Sequence, residues 1–533
     1  MLTFLVVLPV IIAALLFVLS SNTSVRIFAV IVQAGLFIAS IYLVTITRGD
    51  NVYITYVGGY EGILGITLLA DSLSADFVLI TTFIFLVISI YSFKEKKDMP
   101  MVWFLLFIME ASMIGLFLSN DLFNIFVLIE VSTVVTLLLV MYDRIKRKLY
   151  VGMLFLMANI VAAQFYLFGM GYVYMISGGL DITLVTNEIA GLDSGQLMLP
   201  YALIMTSVAF KCTLIPFFSW SPKVRIYPEA PTVVQAILSG LQIKSALYLF
   251  IQFQTMFDPI AAQDFFLVIG IISGLFGAFM AICQSDIRLI LAYHTISQVG
   301  LIIIGVSVGG VYSYVGGLYH IFSHAVFKTT LFLGTGMIIH SYSTADVYKI
   351  RGVMKRMPLA GVATAAAVLG IMGAPAFIGS VSKYFIAYDM GPVLTFVAVV
   401  ISLGTIISFV KFSSVFFGKP NDEHVGDMLV PEMNKTVPSL VLGLMCFAGG
   451  IFGTQAIYFL FGQSVSVIMS SYIQKSLIFV GSLVVAYFVY NKVIKGNKLL
   501  KRIGGINFSF KTICLSIGGF FASLLIYFAV IAS

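Results

Sequence analysis

The segment HIFSHAVFKTT sets His320, His324 and Lys328 four residues apart. On an α-helix this spacing stacks the three side chains on one face, as a ladder about 12 Å long. Imidazole and amine groups both take up and give off protons, and their surroundings tune when they do so. Three titratable groups in one apolar run read as a proton relay, because packing supplies no reason for them. Lys211, Lys244, Lys383 and Glu130 also stand inside apolar runs, each on a different stretch of chain. One charge at mid-bilayer costs about 2.5–3.5 kcal/mol on insertion scales. Five would cost on the order of 15 kcal/mol, comparable to the stability of a whole domain. Such groups must face one another or water inside a bundle, and ion conduction is the first reading of them.

The remaining candidates carry a bland reading of equal weight. Glu110 lies in a Met- and Phe-rich stretch and reads as an accessory site or as the hydrogen-bond partner of a neighbour. His294, in AYHTISQVG, reads as a relay member or as a buried, hydrogen-bonded histidine. Asp71 and Asp76 fall near a helix start, where carboxylates are favoured, and read as caps. His340 reads as interfacial. Lys411 and Lys511 lie near helix ends, from which a long side chain reaches the interface.

The elements that carry these residues follow from composition. The chain has 533 residues, of which 60% are hydrophobic and only 10% charged, with a mean hydropathy of +1.07. An ordinary soluble protein carries about 25% charged residues. Apolar runs longer than about 18 residues recur throughout, which fits α-helical spans and excludes a β-barrel. The class is an all-α polytopic membrane protein embedded in a lipid bilayer. Cys212, Cys283, Cys446 and Cys514 stand singly, without CxxC or Cys/His clustering, so no metal and no iron–sulfur cofactor is expected. Neither GxGxxG nor GxxxxGK[ST] occurs, which argues against nucleotide chemistry. The net charge of +7 sits in membrane-flanking loops and does not point to nucleic acid.

Sixteen spans can be drawn, including 198–218 and 358–389. The first, Leu2 to Ser20, lacks a basic leader and an AxA-like cleavage site and reads as a retained span. The loops test the count. Odd loops carry most of the 30 Lys and Arg residues, among them Lys94, Lys96 and Lys97, Arg144 to Lys148, Lys223 and Arg225, Lys349 to Arg356, and Lys492 to Arg502. Even loops hold only Arg48 and Lys475, and the long loop 178–197 carries Asp181, Glu188 and Asp193 with no Lys or Arg. A miscounted span would invert this bias from that point on, and no inversion occurs. By the positive-inside rule the odd loops are cytoplasmic and both termini lie outside, in the cell membrane.

Two spans look broken. Pro216 follows Lys211 in FKCTLIPFF, and Pro375, with Gly370 and Gly373, precedes Lys383 in GIMGAPAFIGSVSK. Proline removes a backbone hydrogen bond and frees carbonyls. Matching breaks in two halves of a transporter point to inverted repeats with the pathway at mid-membrane.

The same residues carry a family resemblance. SNDLFNIFVLIEVSTVVTLLLV, FKCTLIPFFSWSPKVRIYPEAPTVVQAILSG, DIRLILAYHTISQVG, HIFSHAVFKTTLFLGTGMIIH and PAFIGSVSKYFI resemble, in order and spacing, the antiporter-like membrane subunits. That family is shared by Mrp sodium/proton antiporters, membrane-bound hydrogenase-type complexes and respiratory complex I. DLFNIFVLIE and YHTISQVG look closer to the Mrp D-like and hydrogenase branch. The resemblance implies two inverted five-helix repeats, helices 4–8 and 9–13, with helices 7 and 12 broken. The implied organisation is 1–98, 99–255, 262–418 and 436–533. It implies that Glu130 is the helix-5 glutamate and Lys211 its helix-7 lysine partner, with Lys244 on helix 8. His320, His324 and Lys328 become the central relay, and Lys383 the terminal helix-12 site. Trp-Ser-Pro at 220–222 replaces the family's usual Trp-Leu-Pro. The two helices after 462 exceed the common core.

The implied function is proton translocation, with sodium/proton antiport as its coupled form, by a subunit that works with other membrane subunits and has no redox centre. A stand-alone carrier of an organic solute is the rival. It needs a midplane pocket, whereas these charges spread over five helices. A structural scaffold leaves the buried charges unexplained.

Overall fold

The computed structural model describes residues 1–19, 23–49, 51–60, 65–94, 99–217, 226–419, 432–506 and 509–532. Lys96, Lys97, Lys223, Arg225 and the Trp-Ser-Pro at 220–222 lie outside the described residues. Among those described, fourteen helices are long and apolar enough to cross a membrane. The other two of the sixteen expected spans are the interrupted ones. One holds α8, Ser194–Lys211, which stops at the lysine itself. The other is split into α13, Pro358–Met372, and α14, Ile378–Ile386.

The chain forms two compact units, the first comprising residues 1–234, 241–265 and 508–533, and the second 235–240 and 266–507. The first unit begins with α1, Leu2–Leu19, α2, Thr23–Ile46, α3, Ser72–Tyr91, and α4, Met99–Leu118. Ile12, Leu16, Ala29, Trp103 and Phe107 build its first core, where α1 and α2 meet α4. Between α2 and α3 a short antiparallel hairpin pairs Tyr53–Tyr56 with Thr67–Ala70, a feature without a sequence expectation. The unit continues with α5, Leu122–Met141, α6, Lys146–Ser177, α7, Ile182–Ile189, and α8. Helix α9, Thr232–Met256, contains a π-helical turn at Leu238–Gln242. The last helix of the chain, α20 (Phe510–Ala532), also belongs here. Its Phe520, Phe521 and Phe528 pack tilted or edge-on against Phe217, Phe165 and Tyr201 at 5.1–5.5 Å.

The second unit is arranged around α12, Val311–Tyr342, whose interior is almost wholly buried. Around it lie α10, Gln263–Cys283, α11, Ile287–Ser307, α13, α14 and α15, Pro392–Ser413. Helices α16, Met433–Ile451, α17, Gly453–Phe461, α18, Met469–Val489, and α19, Lys498–Gly504, complete it. Helix α18 exposes Ile473, Leu477, Val480 and Val484, the apolar face that a lipid-facing helix needs.

A local signature occurs once in each unit. Asp121 caps α5, accepting a hydrogen bond from the Asn124 N–H at 2.7 Å, and its backbone bridges to Asp181. Asp286 caps α11, accepting from the Arg288 N–H at 2.8 Å, and bridges to Asp346. In each case the residue that opens one helix pairs with an aspartate beyond the end of the next. Burial pushes the Asp121 carboxyl up from its ordinary range, and the Asn124 hydrogen bond opposes that shift.

Candidate functional site

Lys211 is the last residue of α8, where the helix ends within the bundle. Its ammonium donates to Asn159 Oδ1 on α6 at 2.8 Å and to Thr133 Oγ1 on α5 at 3.0 Å. Glu130, one turn before Thr133, acts on it electrostatically. The two are not an ion pair within 4 Å; those among the described residues join Arg147 to Glu229, Lys148 to Asp143 and Arg288 to Asp286. Glu130 Oε1 is buried without a hydrogen-bond partner among the described residues. A cavity of about 20 Å³ beside Lys211 is lined by Thr133, Asn159, Gln242 and Ser245. That is room for about one water. Gln242 Nε2 donates to Thr136 Oγ1 at 3.1 Å. Lys244, completely buried, lies two residues after the π-helical turn of α9. Such turns re-aim the side chains next to them and recur at functional sites.

The ladder expected on α12 is present. His320, His324 and Lys328 are all fully buried on that one helix. His320 joins two elements at once: Nδ1 lies 2.8 Å from Ser382 Oγ on α14, and Nε2 lies 3.0 Å from Gln298 Oε1 on α11. Gln298 reaches on to Thr405 Oγ1 of α15 at 3.4 Å. Lys328 Nζ donates to the Leu291 carbonyl of α11 and stands 5.9 Å from the Phe332 ring. His324 packs edge-on to Phe327 at 5.4 Å.

Lys383 shows what the helix break is for. Helix α13 ends at Met372, and Gly373 takes the left-handed conformation, φ 82°, that closes the turn. The last carbonyls of a helix lack intrahelical partners. Two of them, Ile371 O and Met372 O, accept from Lys383 Nζ at 2.9 and 3.2 Å. Lys383 is the next residue after Ser382 on α14, but its amine is turned to the end of α13.

Several sequence expectations change here. His294 is buried, but both ring nitrogens lack a hydrogen-bond partner among the described residues, so it is not the satisfied histidine of the bland reading; its ring lies 4.7 Å from Phe409. Glu110 does bond a neighbour, accepting from Gln33 Nε2 on α2. Asp71 caps α3 as expected. Asp76 does not cap: it is fully buried, with neither carboxylate oxygen hydrogen-bonded among the described residues. Lys411 is enclosed by protein instead of extending outward. It is 1% exposed and donates to the carbonyls of Ala281, Ile282 and Gln284 at the end of α10, a helix cap made by a lysine. His340 is exposed in the last turn of α12, as expected. Lys475 lies inside α18 rather than in a loop. Gln298, Ser382, Thr133 and Asn159 were not singled out by the sequence; uncharged polar residues in spans carry no signal that separates them from ordinary helix residues.

Known proteins share both the sequence and the fold. Residues 119–408, more than half of the chain, match the family described as NADH:quinone oxidoreductase/Mrp antiporter, TM. An Na(+)/H(+) antiporter subunit from Alkalihalophilus pseudofirmus is 25% identical over 82% of this chain and 92% of its own length. An NADH-quinone oxidoreductase subunit from Desulforudis audaxviator is 29% identical over 78% and 87%. One protein of the Mrp complex from Dietzia sp. shares the fold with a TM-score of 0.78, at 24% identity over 89% of this chain and 99% of its own. One protein of the archaeal membrane-bound sulfane sulfur reductase does so at 0.79, with 20% identity over 91% and 99%.

Proposed function

The chain belongs to the NADH:quinone oxidoreductase/Mrp antiporter transmembrane family, and on that premise we propose that it is the proton-translocating membrane subunit of a multisubunit complex. The parent is an Mrp-like sodium/proton antiporter or a hydrogenase-type, sulfur-reducing or complex I-like respiratory assembly. The names of the relatives support both. Within it the chain is the ion-moving part rather than a redox centre.

The observation that carries this reading is the bonded file in the second unit. Gln298, His320 and Ser382 form an unbroken set of hydrogen bonds across three helices, ending on α14, the half-helix that also carries Lys383. A histidine bonded on both ring nitrogens passes a proton by taking it on one and releasing it from the other. Lys211, Glu130 and Lys244 are the titratable groups of the path in the first unit, with Glu110 as an accessory member there and His294 in the second. A solute carrier is disfavoured, because the ionisable groups are strung along helices rather than gathered around one pocket.

We assign helices 4–8 (99–255) and 9–13 (262–418) to two inverted repeats, flanked by 1–98 and 436–533. The recurrence of the aspartate bridge and of a lysine at a helix break supports this division. The odd loops face the cytoplasm, both termini face outward, and the membrane is the cell membrane. The test is proton flux in vesicles holding the whole complex. Lys328→Ala should lower flux at least tenfold with the complex intact; near-normal flux would remove the central-relay role.

A further inference from the structure

Helix α18 lies beyond the matched residues 119–408, yet it is bonded directly to the lysine-bearing half-helix α14. Tyr472 OH lies 2.8 Å from Ser380 Oγ and accepts from the Ala376 N–H at 3.2 Å. Lys475 Nζ donates to the Tyr384 carbonyl at 3.0 Å and stands 4.4 Å from the centre of the Tyr384 ring. Between α14, α15 and α18 lies a cavity of about 300 Å³. Lys383 and Lys475 both line it, together with the hydroxyls of Ser380, Ser402, Ser471 and Tyr472. Among the described residues, no carboxylate lines it. A volume of this size has room for several waters, and the two lysines and the Ser and Tyr residues are the partners that its otherwise mostly apolar wall offers them.

The cavity extends along α15 and α18 from their first turns as far as Ile406 and Ser482, with Lys383 on the α14 wall. Its other lining residues include Thr395 and Ser471, in the first turns of α15 and α18. Those turns follow the loops 387–391 and 462–468, both even loops and therefore outward-facing in the topology proposed above. A second amine lining the same cavity is titratable, which the contact with the Tyr384 carbonyl does not by itself require, since a neutral donor would fill it at lower insertion cost.

We propose that Lys475 is the outermost proton-exchange group of the path, and that this cavity is the half-channel joining it to Lys383. In export, a Lys383 ammonium releases a proton to cavity water, a neutral Lys475 amine takes it up, and Lys475 then releases it to the outer phase. In import the same transfers run in reverse. The inference rests on the reading of Lys383 as the terminal group of the path.

The test separates proton exchange from a fixed positive charge. Arginine at 475 keeps the charge, the hydrogen bond and the contact with the Tyr384 ring, but does not release a proton. Histidine exchanges protons but is a poorer fixed cation. In vesicles holding the native complex, Lys475→Arg should lower proton flux at least tenfold, and Lys475→His should stay within about threefold of the parent. Parental flux in Lys475→Arg would overturn the proposal, since a structural cation would then suffice. Independently, Ser402→Cys should react with a membrane-impermeant methanethiosulfonate added from outside; an unreactive cysteine there would overturn the half-channel. Lys383→Met is the control for the underlying reading. If it transports normally, that reading falls, while the arginine–histidine contrast still reads Lys475 by itself.

Discussion

At the scale of single residues, charge was legible in the sequence and its purpose was not. A lysine inside an apolar run is conspicuous because of its insertion cost. In the structure Lys383 and Lys411 make the same kind of contact, each donating to the last carbonyls of a helix, α13 and α10, so what distinguishes Lys383 is the cavity it also lines and not the contact. The neutral members of the file were silent, because Ser, Thr and Gln in helices commonly bond their own backbone. Gln298→Leu tests whether such a member matters: it removes one bond from His320 and should lower proton flux about tenfold without loss of assembly. Unchanged flux would mean that Nε2 of His320 needs no partner. In the first unit, Lys211 rests on Thr133 and Asn159, with Glu130 nearby but not paired. Opposite charges attract more strongly as they approach, so a motion that changes the separation of Glu130 and Lys211 changes the interaction between them. Glu130→Gln should stop transport and Glu130→Asp should retain part of it. A double-mutant cycle on flux with Lys211→Met should show strong non-additivity; strictly additive losses, with residual activity in each single variant, would show that the pair is not a switch.

At the scale of elements, prolines announced the breaks, and the structure gives the reason they matter. Pro375 lies in the turn between α13 and α14, and the carbonyls that the break frees become the seat of Lys383. The π-helical turn before Lys244 had no comparable signal, since LSGLQ reads as ordinary helix. The hairpin between α2 and α3 was equally hidden, because each strand is only four residues long. The seat of Lys383 depends on a close approach. A Cβ on Gly379 would overlap the Gly370 carbonyl oxygen, so α14 starts against the end of α13 only because residue 379 is glycine. Overpacking of this kind typically costs about 1–3 kcal/mol. Gly379→Ala should therefore lower the thermal stability of the complex modestly and its proton flux at least tenfold, by moving Lys383 off its carbonyls. Flux at the parental level, together with unchanged stability, would show that the break tolerates separation.

At the scale of the whole molecule, the number of spans and the sidedness of the loops rest on one regularity, the placement of positive charge. Among the described residues, fourteen continuous helices and two interrupted spans agree with the sixteen drawn from the sequence. Because sixteen is even, the two termini must share a side. The Lys- and Arg-rich loops then fall together on the other side, and the acidic loop with Asp181, Glu188 and Asp193 falls with the termini. Three exposed positions sample this arrangement. Arg147, in the first turn of α6, and Lys355 belong to odd connections, and Glu188 lies on the short helix α7 of an even one. Single cysteines at Arg147 and Lys355 should react with an impermeant reagent only from the cytoplasmic side, and one at Glu188 only from outside. The alternatives leave different patterns. A single miscounted span between residues 188 and 355 would put Lys355 on the same side as Glu188 while leaving Arg147 opposite. A wholly inverted insertion would exchange all three. Labelling of the Glu188 position from the cytoplasm would sink the assignment, and with it the outward direction of the cavity between Lys383 and Lys475, because both follow from the same count of crossings.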